Sequence, residues 1–238
     1  IVVALAAYLL LWPTKLAPTA WNAPIDEGYT GAFTPNERLA ELELLPLGSA
    51  NGPEDVVARE EDGRLVLYTS SQQGTIWRID PVSKSANAFA QTDGFPLGLA
   101  WGADGALLVA DAYLGVLSVS IEGRITVLTD TVVGAPILFA DDVIAAPDGV
   151  IYFTDASQRF GAEAAGSPFA ASEKDIVEQS QTGRVLRYDP ASGETSVFAS
   201  GLSFANGIAL SSDREALLVA QTGLYRVDRV PLSGPDAG

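Results

Sequence analysis

A short apolar turn recurs four times in this chain and each time launches a pair of strand-like runs. The copies are Gly52-Pro53-Glu54-Asp55-Val56-Val57, Phe95-Pro96-Leu97-Gly98-Leu99-Ala100, Phe139-Ala140-Asp141-Asp142-Val143-Ile144 and Phe204-Ala205-Asn206-Gly207-Ile208-Ala209. Aligned on Glu54, Leu97, Asp141 and Asn206, they lie 43, 44 and 65 residues apart. A period of that size restricts the fold to architectures that set one supersecondary unit beside the next.

Each of the first three copies leads to Asp-Gly and then to an apolar run: Asp62-Gly63 before Leu65–Tyr68, Asp104-Gly105 before Leu107–Val109, Asp148-Gly149 before Val150–Phe153. The fourth has Asp213-Arg214-Glu215 before Leu217–Val219. Asp-Gly supplies the positive φ values that tight hairpin turns need, so these read as hairpins. A third strand follows in every copy and a fourth in the first three (Ser85–Gln91, Arg124–Asp130, Thr195–Ser200). Four antiparallel strands per repeat predict an all-β chain built as a β-propeller, with blades at about 51–94, 95–134, 135–201 and 202–238. A β-sandwich is the alternative, but it would not repeat its turn chemistry in register.

The long third interval carries an insertion, Arg159 to Thr182. Its first part reads as loop, and Ser172–Gln179 predicts a short helix with Ser172 as N-cap. On one face of the disc it would form a lid over the central channel, or else a solvated excursion.

With 238 residues and 47% hydrophobic content, the chain can bury a core as one domain. Its net charge of −16 excludes a phosphate backbone as partner and suits a divalent cation or cationic substrate. Cysteine and histidine are both absent, which removes thiolate and imidazole chemistry. Carboxylates, amides and hydroxyls remain, and these favour a hard cation such as Ca²⁺ or Mg²⁺.

Residues Ile1 to Trp12 are an unbroken apolar run ended by Pro13. About 20 such residues are needed to cross a bilayer, so the run predicts the tail of a longer signal-anchor helix whose start has been lost. The chain has no Met anywhere, in keeping with a lost start. Residues 13–50, with Pro13, Pro18, Pro24, Pro35 and Pro46, read as a linker leading onto the disc.

The ordered set of Gly52-Pro53-Glu54-Asp55, Phe139–Val143 with Asp148–Ser157, Gly183–Pro190 and Phe204–Leu210 resembles the strictosidine synthase-like branch of the gluconolactonase/regucalcin superfamily. It is most similar to the membrane-anchored members related to adipocyte plasma membrane-associated protein. That resemblance implies a six-bladed propeller of which about three and a half blades are present, a chain truncated at both ends, and an anchored protein on the exported side of a membrane.

In the metal-dependent lactonases of the superfamily, acidic or amide residues from several blades hold a divalent ion in the channel. The resemblance carries Glu54 to the glutamate ligand position, Asn206 to the asparagine position, and Asp141 to a position where relatives often have asparagine. Ca²⁺ is the implied ion and a small ester or lactone the implied substrate, with the catalytic base expected in further blades. Leu97 cannot ligate, and Asp142 is expected to serve the turn or a neighbouring blade. Gln221 stands where relatives often carry glutamate, and Gln179 where bacterial relatives often carry histidine. Three functions remain open: a metal-dependent hydrolase of lactones or aryl esters, an amine–aldehyde condensing enzyme of strictosidine synthase type, and a non-catalytic binding propeller.

Overall fold

The computed structural model describes residues 2–11, 15–235 and 237–238. Four antiparallel meanders follow one another along the chain. The first is β1 (Val56–Glu61), β2 (Arg64–Thr69), β3 (Thr75–Asp80) and β4 (Ser85–Gln91); the second is β5 (Pro96–Trp101), β6 (Leu107–Asp111), β7 (Gly115–Val119) and β8 (Ile125–Thr129). A two-stranded ribbon, β9 (Thr131–Val132) with β10 (Ala135–Pro136), leads to the third sheet. That sheet holds β11 (Ala140–Ala145), β12 (Ile151–Asp155), β13 (Gly183–Asp189) and β14 (Glu194–Leu202). The last has three strands, β15 (Ala205–Leu210), β16 (Ala216–Gln221) and β17 (Arg226–Pro231).

The first strands of successive sheets pack on one another, β1 on β5, β5 on β11 and β11 on β15. This is a propeller-type arrangement, with the repeat's opening turns gathered along its inner edge. The core accordingly falls between sheets. Tyr68, Ile76, Leu107, Val109 and Leu117 join the first two sheets. Val116, Val143, Phe153 and Leu186 join the second and third, and Val185, Ile208, Leu217 and Val219 the third and fourth.

The turns differ in detail from a uniform two-residue hairpin. Asp62 and Gly63 both have positive φ, as a tight two-residue turn requires. In the second and third sheets only Gly105 and Gly149 do, and the turn closes through Gly105 N–H to Gly102 O and Gly149 N–H to Ala146 O. There Asp104 and Asp148 act through their side chains, accepting the Ala106 and Val150 N–H groups. Arg214 takes the left-handed position in the fourth copy.

The insertion is helical one turn earlier than its sequence predicts. α2 spans Pro168–Glu178; Ser167 is the N-cap, accepting from Ala170 N–H at 3.1 Å, and Pro168 opens the first turn. Ser172 lies inside the helix, its hydroxyl donating to Phe169 O. Ahead of the sheets, α1 covers Val2–Leu11; Ile1, Trp12 and Pro13, the ends of the apolar run and its stop, lie outside the described residues. Among the described residues no helix is long and apolar enough to cross a membrane. Residues 15–50 carry one 3-10 turn, Gly31–Phe33, as their regular structure.

Candidate functional site

Three of the four opening strands are bulged at the same place. Register slips between Pro96 and Leu99, between Ala140 and Val143, and between Ala205 and Ile208. The residues inside these bulges are Leu97-Gly98, Asp141-Asp142 and Asn206-Gly207, while Glu54-Asp55 stands just ahead of β1. A bulge breaks the ladder and re-aims its side chains, here toward the inner edge. Glu54, Leu97, Asp141 and Asn206 consequently line one pocket of about 120 Å³. The three residues singled out from sequence as ion ligands are therefore brought together.

The residue that follows Glu54, Leu97, Asp141 and Asn206 has a different task, and it alternates. Asp55 Oδ2 accepts the Leu99 N–H of the second sheet at 2.8 Å, and Asp142 Oδ2 accepts the Ile208 N–H of the fourth at 2.7 Å. Beside each, a hydroxyl completes the clamp: Ser70 donates to Leu97 O and Thr154 to Asn206 O. The second and fourth sheets carry Gly98 and Gly207 instead. A Cβ on Gly98 would lie 2.3 Å from Asp142 Oδ1, so only glycine allows the third sheet to approach. Asp142 thus serves a neighbouring sheet, as expected, and through the Asn206 carbonyl the clamp fixes the backbone of a pocket residue.

Electrostatically the pocket is an acid cluster without a basic partner on its walls. Burial, then the charges of Asp55 and Asp142, push the Glu54 carboxyl up to about 7, although its side chain reaches solvent at the rim. Asp141 is 4% exposed, and burial followed by the charges of Glu54 and Asp142 raises it well above the usual carboxylate range. Burial also lifts Asp142 to about 6 against the N–H groups that stabilise its charge. A cation among Glu54, Asp141 and the Asn206 amide would relieve this repulsion. These are hard oxygen donors, the kind Ca²⁺ and Mg²⁺ take. Among the described residues no group of three or more His, Cys, Asp or Glu side chains is placed to hold a metal ion.

Two further groups of lining residues complete the pocket. Phe95, Phe139 and Phe204 stand two residues before the bulge residues in their sheets, and Phe139 meets Phe204 edge to face with centroids 5.4 Å apart. Phe204 holds a left-handed backbone at φ 50°, strain that a bulky residue tolerates only when well packed, and it is 3% exposed. From α2, Pro168, Phe169 and Ser172 close the other side, so the insertion covers this pocket. Sequence reasoning took these phenylalanines only as turn openers and missed Phe169. The same 44- and 65-residue spacing, read two residues earlier, marks Phe95, Phe139 and Phe204.

The covering helix is pinned at its far end. Gln179 Nε2 donates to Gly223 O at 2.7 Å and its Oε1 accepts from Ser203, tying α2 to the fourth sheet. Buried Asp175 accepts from both Ser157 and Ser180 at 2.5 Å. Gln221, at the end of β16, accepts the Ser203 N–H and donates to Asp228, away from the pocket wall.

A family model described as strictosidine synthase matches residues 141–235, and one described as strictosidine synthase-like, N-terminal matches residues 31–79. Together they take in more than half of the chain. Over 206 residues the chain is 34% identical to protein strictosidine synthase-like 6 of Arabidopsis thaliana, covering 84% of this chain and 53% of that protein. Over 232 residues it is 33% identical to the adipocyte plasma membrane-associated protein of Salmo salar, covering 88% and 52%. The chain spans about half the length of the curated relatives it matches. Among solved structures, a gluconolactonase from Xanthomonas campestris superposes with a TM-score of 0.59 at 21% identity, over 72% of this chain and 56% of that one. A calcium-binding protein, regucalcin, from Agrobacterium tumefaciens does so with 0.52 at 16% identity, over 77% and 54%. Both structural likenesses speak to fold.

Proposed function

The chain belongs to the strictosidine synthase-like family, and from that premise we propose that the whole protein is a divalent-cation-dependent hydrolase of lactones or aryl esters on a six-bladed, membrane-associated propeller. The observation that carries this reading is the convergence of Glu54, Asp141 and Asn206 on one pocket, where burial and neighbouring carboxylate charge raise the proton affinity of both acids. Glu54, Asp141 and Asn206 would hold the ion, Ca²⁺ by the character of the donors and by the description of regucalcin as calcium-binding. Bound there, the ion would supply Lewis acidity toward an ester carbonyl and acidify water. Phe95, Phe139 and Phe204 offer an apolar wall for the acyl or aryl part, and Phe169 covers it and limits water. Association with a membrane draws on the description of the Salmo salar relative and on the apolar helix α1.

Calorimetric titration of the whole protein with Ca²⁺, beside hydrolysis of an aryl ester and a δ-lactone with and without chelator, tests the reading. Micromolar binding with chelator-sensitive turnover is expected; full turnover in excess chelator would overturn it. A second reading rests on the phenylalanines around the acids. Aromatic faces beside carboxylates also suit a protonated arylalkylamine, the substrate class of an amine–aldehyde condensing enzyme. Titration with an arylethylamine in chelator separates the two, since the hydrolase reading expects no binding there.

A further inference from the structure

Away from the acid pocket, on the other side of the covering helix, the chain builds a pocket of the opposite sign. Lys15, Arg159 and Lys174 wall a recess of about 550 Å³ floored by Phe160, Gly161 and Ala165. In a chain with 14 basic residues and a net charge of −16, three of them converge here. One acid of the neighbourhood, Glu178, is engaged internally. Its Oε1 accepts from Arg159 Nε at 3.0 Å, its Oε2 accepts the Ala17 N–H at 2.9 Å, and its side chain is 7% exposed. Arg159 also donates from Nη2 to Lys15 O, and Thr19 N–H to Glu178 O, so the segment bearing Lys15 is strapped along the end of α2. Lys174 Nζ donates to Ala165 O in a long contact of 3.5 Å.

We propose that this recess binds a phosphate group, presented by an anionic lipid headgroup. The site assigns Arg159 to hold the strap and lend its positive charge, and Lys15 and Lys174 to meet the anion. A lipid is favoured over a free anion by the position of Lys15. It follows the last residue of α1, Leu11, by four residues, a reach of at most about 14 Å when extended. An apolar helix seated at the hydrocarbon boundary would therefore bring Lys15 to headgroup depth. The proposal rests on the membrane association proposed above.

The test is sedimentation of the full chain with neutral phosphatidylcholine vesicles and with vesicles containing phosphatidylserine or phosphatidylglycerol, beside Lys15→Gln/Lys174→Gln. Overall charge alone predicts repulsion from the anionic surface, so a preference for it must be local. The expected result is stronger binding to anionic vesicles, weakened by salt and reduced roughly tenfold or more in the double variant, with binding to neutral vesicles unchanged. Equal binding of the parent chain to both vesicle types overturns the pocket and leaves membrane association standing, whereas binding to neither overturns both. A rise in melting temperature with millimolar inorganic phosphate, lost in the double variant, without anionic-vesicle preference would overturn the lipid source in favour of a free phosphate. Circular dichroism confirms that the variant folds.

Discussion

Glu54 and Asp141 belong to different sheets, yet they line one pocket, and across it the charge of Glu54 adds to burial in raising the proton affinity of Asp141. Raised carboxyl groups keep their protons in the folded chain after the unfolded chain has lost them. From the ordinary carboxylate range near 4.5 up to about 7, the folded state therefore binds more protons, and stability falls as pH rises. Glu61 has the opposite sign. Hydrogen bonds from Tyr68, Arg78 and Arg59 outweigh its burial and hold it near 2, so its contribution is lost as pH drops from about 4.5 toward 2. In chelator the melting temperature should peak near pH 5 and decline toward pH 8; millimolar Ca²⁺ should restore much of the loss at pH 8 and do little at pH 5.

Substitution of the ion-facing groups should separate binding from folding. Glu54→Gln and Asn206→Ala should each weaken Ca²⁺ affinity by at least about tenfold in calorimetry while the melting temperature in chelator holds or rises. Glu54→Gln should also flatten the pH decline above 5, because it removes a titrating group.

Asp142→Ala should behave otherwise. It strips the acceptor from the Ile208 N–H and unseats the clamp, at a cost of about 1–3 kcal/mol in denaturant unfolding. Gly98→Ala should cost a similar amount, about 1–3 kcal/mol, because the new methyl meets the Asp142 carboxylate and backbone.

The cap of the covering helix can be located by local exchange. Ser167→Ala should speed amide hydrogen exchange in the first turn of α2, corresponding to about 1 kcal/mol of local stability, and Ser172→Ala should leave it nearly unchanged. The reverse pattern would restore Ser172 as the cap.

Phe169→Ala should open the acid pocket without disturbing the ion. For the whole protein, KM for an aryl ester should rise severalfold with Ca²⁺ affinity unaltered, since Phe169 lines the pocket and meets the Phe95 ring but brings no oxygen donor to it. An unchanged KM would place the substrate elsewhere.

The repeat was legible because turn chemistry is local: Asp-Gly and a proline or bulge residue specify a backbone path within a few residues. The gathering of Glu54, Asp141 and Asn206 was legible for the same reason, as equal positions in equal units face the same way. What escaped depends on long-range contacts. Ser172 precedes a plausible acidic turn, but Ser167 wins because Pro168 fixes the first helical φ and the Ala171 side of the helix packs beneath it. Phe169 reaches the pocket only because α2 folds back over β5 and β11. Lys15 and Lys174 line one recess because the Glu178 carboxylate holds Ala17 and Arg159, a pairing that no spacing rule encodes.

The alternation of Asp55, Gly98, Asp142 and Gly207 sets a rule of parity. Asp55 and Asp142 each reach forward to a backbone N–H of the next sheet, and Gly98 leaves the space that the aspartate following it occupies. A ring that keeps this rule closes without a flaw only when its sheets come in an even number. An odd ring would set two carboxylates or two glycines side by side at one seam, with a crowded charge in the first case and an N–H lacking its acceptor in the second. The smallest unit that could be duplicated or deleted without creating such a seam is thus a pair of sheets, twice the length of the motif by which the sequence first announces itself.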